Sequence, residues 1–256
     1  MKSIIFFIKK EAEENCYNYK LLIVLVIFVL IGIGSPLMAK ALPLIMETIE
    51  SQNIVVTVAE PKAIDAWMQY FKLINQGGII LLVILFIGTV SGEVEKGTLI
   101  NLLTKGMKRP AVVLSKFVFI LLIWTIAFLI SLVCINYYTN LYWPVSEVSN
   151  EILLKVICMQ WFFGLFVISL MVLGSTLFRS IYYSILFLAF CLLLLYGMNI
   201  FETIKGLNPI NLSTIYMPAL MGTGQPTNYV TLIVSTVLFS ILALFFSIMV
   251  FNKKQL

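Results

Sequence analysis

The chain alternates long apolar runs with short polar segments, and this pattern restricts its possible folds more than any other feature. A membrane-spanning helix needs about 20 predominantly apolar residues to cross the hydrocarbon layer. Six runs reach or approach that length: residues 21–38, 78–91, 111–135, 152–178, 181–200 and 229–251. The second run is short, but apolar residues at helical spacing precede it, so its helix begins earlier. These residues are Trp67, Tyr70, Phe71 and Ile74. We therefore predict an all-α polytopic membrane protein, with six transmembrane helices in a single domain covering residues 1–256.

The overall composition agrees with a membrane protein and excludes several functions. Of the 256 residues, 61% are hydrophobic and 11% are charged, whereas about a quarter of the residues in soluble domains are charged. The absence of histidine excludes Ser-His-Asp and Cys-His nucleophile pairs and histidine zinc sites. The cysteines show no CxxC spacing, so neither a metal motif nor a redox motif is indicated. No nucleic-acid partner is expected, because the basic residues are spread between apolar runs.

Lysines and arginines predict how the helices are oriented. They are concentrated before residue 21, between residues 96 and 116, at Arg179 and after residue 251, whereas the outer loops hold fewer over a greater length. Because cytoplasmic loops are enriched in Lys and Arg, both termini are predicted to be cytoplasmic. We expect a multi-pass protein of a prokaryotic plasma membrane. In this topology Cys134 and Cys158 both approach the outer face, where they either pair or act as small packing residues.

Residues 1–20 precede the first apolar run and are predicted to form an interfacial helix. Its apolar stripe, at helical spacing, comprises Ile5, Ile8, Ala12, Cys16 and Tyr19. The other side carries i,i+4 pairs of opposite charge, which stabilise a helix. These pairs are Lys9–Glu13 and Lys10–Glu14. Such a segment lies in the plane of the membrane surface, as a simple anchor or as a regulatory element.

Two polar stretches are predicted to lie on the outer side. Residues 39–77 form a large outer loop with a β-prone patch at 54–58. Within residues 201–228, an apolar piece is too short to cross the membrane and is bounded by prolines and glycines. We predict a re-entrant segment there, which closes an outer gate formed by Pro209, Ile215, Pro218 and Leu220. The alternative is a loop that rests on the outer surface.

Residues 92–110, a cytoplasmic segment between the second and third runs, are the most informative part of the chain. Thr98 is a predicted helix N-cap. The apolar face that follows it comprises Leu99, Leu102 and Leu103. The acidic Glu93 and Glu95 precede this helix and the basic Arg109 follows it, as the helix dipole favours. An exposed amphipathic helix of this kind either inserts into a groove on a soluble partner or lies on lipid.

This segment resembles the region that follows the second span in permeases of type-2 ABC exporters. In that family an acidic residue, a Gly-Thr pair and a Leu-Leu pair build the coupling helix, and basic residues lead into the third span. The matching positions here are Glu95, Gly97, Thr98, Leu102, Leu103, Arg109 and Lys116. The six spans, the N-terminal interfacial helix and the broken apolar segment before the last span are also similar. The proline that often follows the leucines in that family stands later here, as Pro110.

The resemblance implies the permease subunit of an ATP-driven exporter. Two ABC ATPase subunits would lie beneath two permease subunits, which form either a homodimer or a pair of related paralogues. ATP and Mg would bind to the ATPase partner, because this chain has no phosphate-binding loop and no cofactor site of its own. We therefore expect the chain itself not to be an enzyme. Its uncharged spans favour a hydrophobic or amphipathic substrate, such as a peptide, a drug or a lipid-like molecule.

The main alternative is a secondary transporter or a channel-like protein that ATP does not drive. Secondary transporters usually place ionisable residues deep within the helix bundle, and the middles of the apolar runs hold no obvious one. An intramembrane hydrolase without histidine would need an aspartate pair or a Ser-Lys dyad in the bilayer, and neither is apparent. Ion export by a permease of this family stays open.

Overall fold

The structure is a computed structural model that describes residues 2–50, 60–99, 108–144, 148–201, 205–223 and 229–254. Its α-helices are α1 (Lys2–Tyr17), α2 (Lys20–Glu50), α3 (Ala63–Leu73), α4 (Ile79–Phe86), α5 (Ser91–Glu95), α6 (Arg109–Tyr142), α7 (Asn150–Leu177), α8 (Ile181–Met198), α9 (Tyr216–Leu220) and α10 (Tyr229–Lys253). A π-helix, Ile74–Gly78, joins α3 to α4, and a 3-10 helix, Pro209–Ser213, precedes α9.

The predicted fold class is confirmed. Among the described residues, six helical segments are long and apolar enough to cross a membrane: Lys20–Leu42, Ala63–Glu95, Arg109–Tyr142, Asn150–Leu177, Ile181–Met198 and Tyr229–Lys253. We refer to them as spans 1 to 6 in chain order. The described part of the chain contains no β-strand, so the protein is an all-α multi-pass membrane protein.

Both ends of the predicted large outer loop are helical. Helix α2 continues beyond Met38 to Glu50, and span 2 already begins at Ala63. Pro43 lies inside α2, although prolines in soluble proteins usually end a helix. Helices that cross membranes tolerate proline, because neighbouring groups satisfy the freed backbone. The β-prone patch at 54–58 lies outside the described residues.

Small residues allow the spans to approach each other closely. Helix α2 packs along α6, and α7 packs along α10. A methyl group added to Gly32 of α2 would lie 2.6 Å from the carbonyl oxygen of Ser131. A methyl group added to Gly164 of α7 would overlap the indole ring of Trp124. Helix contacts in membranes depend on such small residues, since lipid provides no hydrophobic force that drives helices together.

An aromatic cluster fills the bundle where α3 meets α2 and α6. Trp67, Tyr70, Phe71 and Ile74 are buried, which confirms that the residues preceding the second apolar run belong to a helix packed on its apolar face. The Trp124 and Phe128 rings of α6 stack, with centroids 5.1 Å apart. The hydroxyls of Tyr70 and Ser131 share a hydrogen bond of 2.7 Å. The polar end of the tyrosine is thus satisfied inside the core.

The buried face of α1 differs from the predicted stripe. Cys16 and Tyr19 are exposed, whereas Glu11 and Asn15 are buried. The face of α1 that packs on the bundle therefore includes a carboxylate beside Lys116 of α6, and the lipid-facing role of those two apolar positions stays a prediction. Ile8 and Ala12 do pack against the core, and the side chain of Ile5 lies outside the described part. The predicted Lys10–Glu14 pair is present at 3.8 Å.

Span 2 is interrupted between α4 and α5, and a side chain of span 4 accepts hydrogen bonds from the backbone N–H groups freed there. The hydroxyl of Ser175 in α7 accepts hydrogen bonds of 3.0 Å from the backbone N–H groups of Val90 and Ser91. Gly88 and Gly92 flank this turn, and methyl groups added there would lie 3.0 and 3.4 Å from Ile181. The chain between the span and the following segment is therefore held by specific contacts with α7 and α8.

Candidate functional site

Buried and half-buried polar side chains gather in two groups at opposite ends of the bundle. One group, which we call the charged end, comprises Glu11, Glu93, Arg109, Lys116 and Lys254. The other group, which we call the amide end, comprises Asn75, Gln160, Asn199, Asn208 and Asn211. The spans run in alternating directions, so residues that are distant in sequence meet at each end.

A buried ion triad lies at the centre of the charged end. Lys116 of α6 is 2% exposed, and its Nζ lies 2.7 Å from Glu11 Oε1 and 2.8 Å from Glu93 Oε1. Glu11 belongs to α1 and Glu93 to α5, so a single ammonium group joins three helices. The second carboxylate oxygen of Glu93 is buried and has no hydrogen-bond partner among the described residues.

The triad depends on charge balance. Two carboxylates share one ammonium, and removal of one partner from a buried ion pair leaves a charge that the surroundings do not compensate. Glu93 and Lys116 were singled out from the sequence, whereas Glu11 was not. Helix α1 contains Glu11, Glu13 and Glu14, and only the rotation of α1 relative to α6 selects the first of them.

The predicted coupling residues occupy different environments. Glu95, Gly97 and Thr98 are exposed, and Gly97 has a φ of +68°, which ends α5 in the left-handed conformation that glycine adopts readily. The hydroxyl of Thr98 donates to the carbonyl of Glu93 at 3.3 Å. Leu99 is fully buried within this chain, so its side chain packs inward. Leu102 and Leu103 lie outside the described residues.

Basic side chains at the charged end bind the free carbonyls at helix C-termini. Lys20 donates to the carbonyl of Leu85 near the end of α4. The guanidinium of Arg109 donates to the carbonyls of Phe251, Asn252 and Lys254 at the end of α10. The last four carbonyls of a helix have no partner within it, and a cation there also complements the helix dipole. Arg109, a predicted coupling residue, therefore contacts the chain's own last helix.

Lys254 repeats this arrangement at the end of α7. Its ammonium donates to the carbonyls of Thr176 and Phe178 at 2.8 and 2.9 Å. Burial lowers the pKa of Lys254, and the nearby Arg179 acts in the same direction. The basic residues that predict the orientation thus have a second role, since they also connect spans 3, 4 and 6 at this end.

Asparagines fix the predicted gate segment at the amide end. Asn208 Nδ2 donates to the carbonyl of Leu195 at 2.6 Å and to Asn199 Oδ1 at 2.7 Å, while its own Oδ1 accepts from the N–H of Ile210. Asn199 Nδ2 donates to Asn211 Oδ1 at 2.8 Å. These bonds attach the 3-10 helix to the C-terminal end of α8.

The predicted gate residues are partly buried in this segment. Pro209 and Leu220 are buried, and Ile215 and Pro218 are half-buried. The ring of Tyr216 in α9 packs on Phe71 of α3, with centroids 5.6 Å apart. Burial raises the pKa of Tyr216, and Tyr196 adds to this effect. The segment thus packs against span 2.

A second group of amides connects this segment to span 2. Asn75, within the π-helix, donates from Nδ2 to the carbonyl of Ser213 at 3.0 Å. Gln160 of α7 donates from Nε2 to Asn75 Oδ1 at 2.7 Å. Neither Asn75 nor Gln160 was identified from the sequence, where Asn75 falls at the end of the predicted outer loop and Gln160 reads as an isolated polar residue in an apolar run.

The described residues include no group of three or more Cys, Asp or Glu side chains placed to hold a metal ion. Cys134 and Cys158 are free thiols. The polar groups of the two ends instead tie helices together.

These features define a polytopic helical membrane protein whose spans are tied together at both ends. The family model described as "ABC-2 family transporter protein" matches residues 5–256, and the chain belongs to that family. The predicted family is thereby confirmed, while the roles of the coupling residues stay predictions. The chain is a membrane component of an ABC transporter rather than a catalytic subunit, and its family implies partnership with ABC ATPase subunits. No curated protein matches the chain.

Proposed function

We propose that the chain is the permease subunit of an ATP-driven exporter that moves a hydrophobic or amphipathic substrate out of the cell. The observation that carries this proposal is the ion triad at Lys116. It ties α5, the first part of the coupling segment, to α6 and α1 through contacts of 2.7 and 2.8 Å. A displacement that an ATPase imposes on residues 92–110 would therefore reach three helices together.

The energy source in this proposal is a separate ABC ATPase subunit that binds ATP and Mg. A phosphate-binding loop requires a Gly-Lys-Ser/Thr sequence after a glycine-rich stretch, and this sequence does not contain one. The charged end faces the cytoplasm, because Lys and Arg are enriched on that side. A second permease subunit, either a copy of this chain or a paralogue, completes the pathway.

The substrate class follows from the apolar character of the spans. The side chains of Leu186, Phe190 and Leu193 on α8 are exposed, and lipid covers such a surface in a membrane. A substrate that partitions into the inner leaflet would reach the bundle laterally along these helices. The segment holding Pro209, Ile215, Pro218 and Leu220 then serves as the outer gate.

Secondary transport is less well supported than ATP-driven transport. The Lys116 triad joins α1 and the N-terminal part of α6 to α5, and the Glu151–Lys155 pair lies in the first turns of α7 and is largely exposed. A proton- or ion-coupled transporter usually keeps such groups near the middle of the membrane.

Copurification tests this function directly. The tagged chain, extracted from its native membrane in mild detergent, should bring an ABC ATPase with it, and the chain alone should hydrolyse no ATP. Leu102→Asp and Leu103→Asp should each abolish copurification, because each places an unpaired charge in an apolar groove. Thr214→Asp, at an exposed position of the amide end, is the matched control.

The outcome that contradicts the proposal is equally concrete. If both leucine variants retain the ATPase and transport is intact, residues 102 and 103 lie on lipid rather than on a partner. Orientation has its own test in intact cells, where a cysteine at Thr223 should react with a membrane-impermeant reagent and a cysteine at Lys96 should not. Reaction at Lys96 alone would reverse the topology.

A further inference from the structure

We infer that Asn75 is a positioning residue that transmits movement of span 2 to the outer gate, and that Gln160 orients its side chain. The inference rests on the proposed function. Span 2 carries Glu93 at one end, where the triad holds it to Lys116. In its first half it carries Asn75, whose side chain donates to the carbonyl of Ser213 in the gate segment. One span thus contacts both the coupling segment and the gate.

The local backbone of span 2 is unusual at this contact. Residues Ile74–Gly78 form a π-helix, a conformation that is rare and occurs frequently at functional sites. Its last residue, Gly78, lies so close to the ring of Phe28 that an added methyl group would be 3.1 Å away. Asn75 is therefore held by a distorted turn that packs tightly against span 1.

The Asn75 side chain has one alternative hydrogen-bond acceptor within reach, on Gln160. Gln160 is 1% exposed, and its Nε2 donates to Asn75 Oδ1 at 2.7 Å. Its Oε1 is buried and has no hydrogen-bond partner among the described residues. If both amides made a half-turn, Asn75 Nδ2 would donate to this oxygen instead of to the Ser213 carbonyl. Asn75 can thus release the Ser213 carbonyl without leaving its own N–H groups unsatisfied.

The gate segment has a separate anchor, which makes a pivoting movement possible. Asn208 and Asn211 bind it to α8 at Leu195 and Asn199. The Asn75 contact joins the same 3-10 helix to span 2 at Ser213, its last residue. When span 2 shifts relative to α8, the two anchors pull on opposite sides of the segment. The consequence is a change in the exposure of Leu220, which is buried in the present state.

The test measures the reactivity of a cysteine at Leu220 in the intact transporter. The complex, purified from native membranes with its ATPase after the four native cysteines are replaced by serine, is placed in lipid nanodiscs. A polar methanethiosulfonate reagent is the probe, applied without nucleotide and with Mg-ATP plus vanadate. In the parent protein, nucleotide should change the reaction rate at least threefold.

Asn75→Leu should remove this response while the ATPase still copurifies. Without nucleotide, the Leu220 cysteine should also react about three- to tenfold faster, the factor expected for the loss of one hydrogen bond inside a membrane protein. Ser240→Ala removes a buried bond within α10 alone and should leave the response unchanged. A cysteine at the exposed Thr223 should react at the same rate with and without nucleotide, in the parent and in the variants.

The possible results separate the two proposals. If the parent shows no nucleotide response, or no ATPase copurifies, the proposed function fails and this inference fails with it. If the parent responds and Asn75→Leu responds to the same extent, only the inference is overturned. Should Asn75→Leu not assemble, Gln160→Leu replaces it, because it removes the group that orients Asn75. If nucleotide changes the reaction rate in Gln160→Leu as much as in the parent, the inference is also overturned.

Discussion

The two ends of the bundle are held by different chemistry. At the charged end, Lys116 shares its charge with two carboxylates. At the amide end, neutral Asn and Gln side chains bond to each other and to backbone carbonyls. A buried ion pair is costly to break, because each separated charge is left without solvent, whereas an amide can exchange one partner for another of similar strength. The charged end thus behaves as a fixed joint, and the amide end as an adjustable one.

The largest expected effect comes from removal of the lysine at the fixed joint. Lys116→Met leaves the carboxylates of Glu11 and Glu93 buried without a counter-charge, and should destabilise the protein by about 3–5 kcal/mol. Thermal unfolding of the purified chain in detergent measures the loss. Lys155→Met, which breaks an exposed pair with Glu151, is the control and should unfold at the same temperature as the parent.

The triple variant Lys116→Met, Glu11→Gln, Glu93→Gln sharpens this test. It removes all three charges, so it should recover much of the stability that Lys116→Met loses, since an apolar replacement of a complete buried ion group is often tolerated. A triple variant that is no more stable than Lys116→Met would show that packing around the lysine stem, and not charge balance, holds this end.

The next effect tests whether rigid packing connects the two ends. Gly164→Ala forces the methyl group against Trp124, and should cost about 2–3 kcal/mol through overpacking. Gly34→Ala is the control, because no neighbouring atom lies within 4 Å of the added methyl group. Equal unfolding temperatures for the two variants would mean that the α6–α7 contact yields easily, and that the ends communicate by other routes.

A smaller effect is expected at the turn that leads from span 2 to the coupling segment. Ser175→Ala removes the acceptor of two backbone N–H groups, Val90 and Ser91, and should cost about 1–2 kcal/mol. Ser169→Ala loses only a bond to a carbonyl of its own helix and should cost less. Hydrogen exchange at Val90 and Ser91 would report the local opening, and unchanged exchange in Ser175→Ala would contradict the assignment.

The smallest effect belongs to the amide end. Asn199→Ala removes the bonds to Asn208 and Asn211, and should cost only about 0.6–1.7 kcal/mol, as polar contacts inside membrane proteins do. A double-mutant cycle with Asn211→Ala measures the coupling. If it exceeds that of the Lys116 triad, the contrast between a fixed and an adjustable joint is wrong.

The elements that sequence predicts well are those whose signal is local. The length of each apolar run sets the number of spans, and the spacing of Trp67, Tyr70 and Phe71 places one face of α3 in the core. The selection of Glu11 over its neighbours depends on how α1 is rotated against α6, which no run of residues encodes. The same holds for Ser175, whose partners lie in another span.

Helix ends and backbone distortions were also beyond local prediction. The predicted outer loop began at residue 39, yet α2 continues through Pro43 to Glu50. The π-helix at Ile74–Gly78 leaves no composition signal beyond two glycines. In the coupling segment, the acidic residues were singled out by their place before the predicted helix and Lys116 by the family resemblance. The side chain of Leu99 is buried within the chain, although an exposed face was predicted.

The π-helix also sets the angular phase of span 2. Each residue of an α-helix advances the direction of the side chain by about 100°, so one surplus residue in a regular helix would rotate everything before it relative to everything after it. The wider π-turn absorbs that residue. Conversion of Ile74–Gly78 to a regular α-helix with the same number of residues would swing Trp67 and Phe71 away from α6 while Glu93 stays in place, whereas deletion of Gly77 would keep the two parts aligned. The alignment between the aromatic cluster and the ion triad thus depends on the width of a single turn.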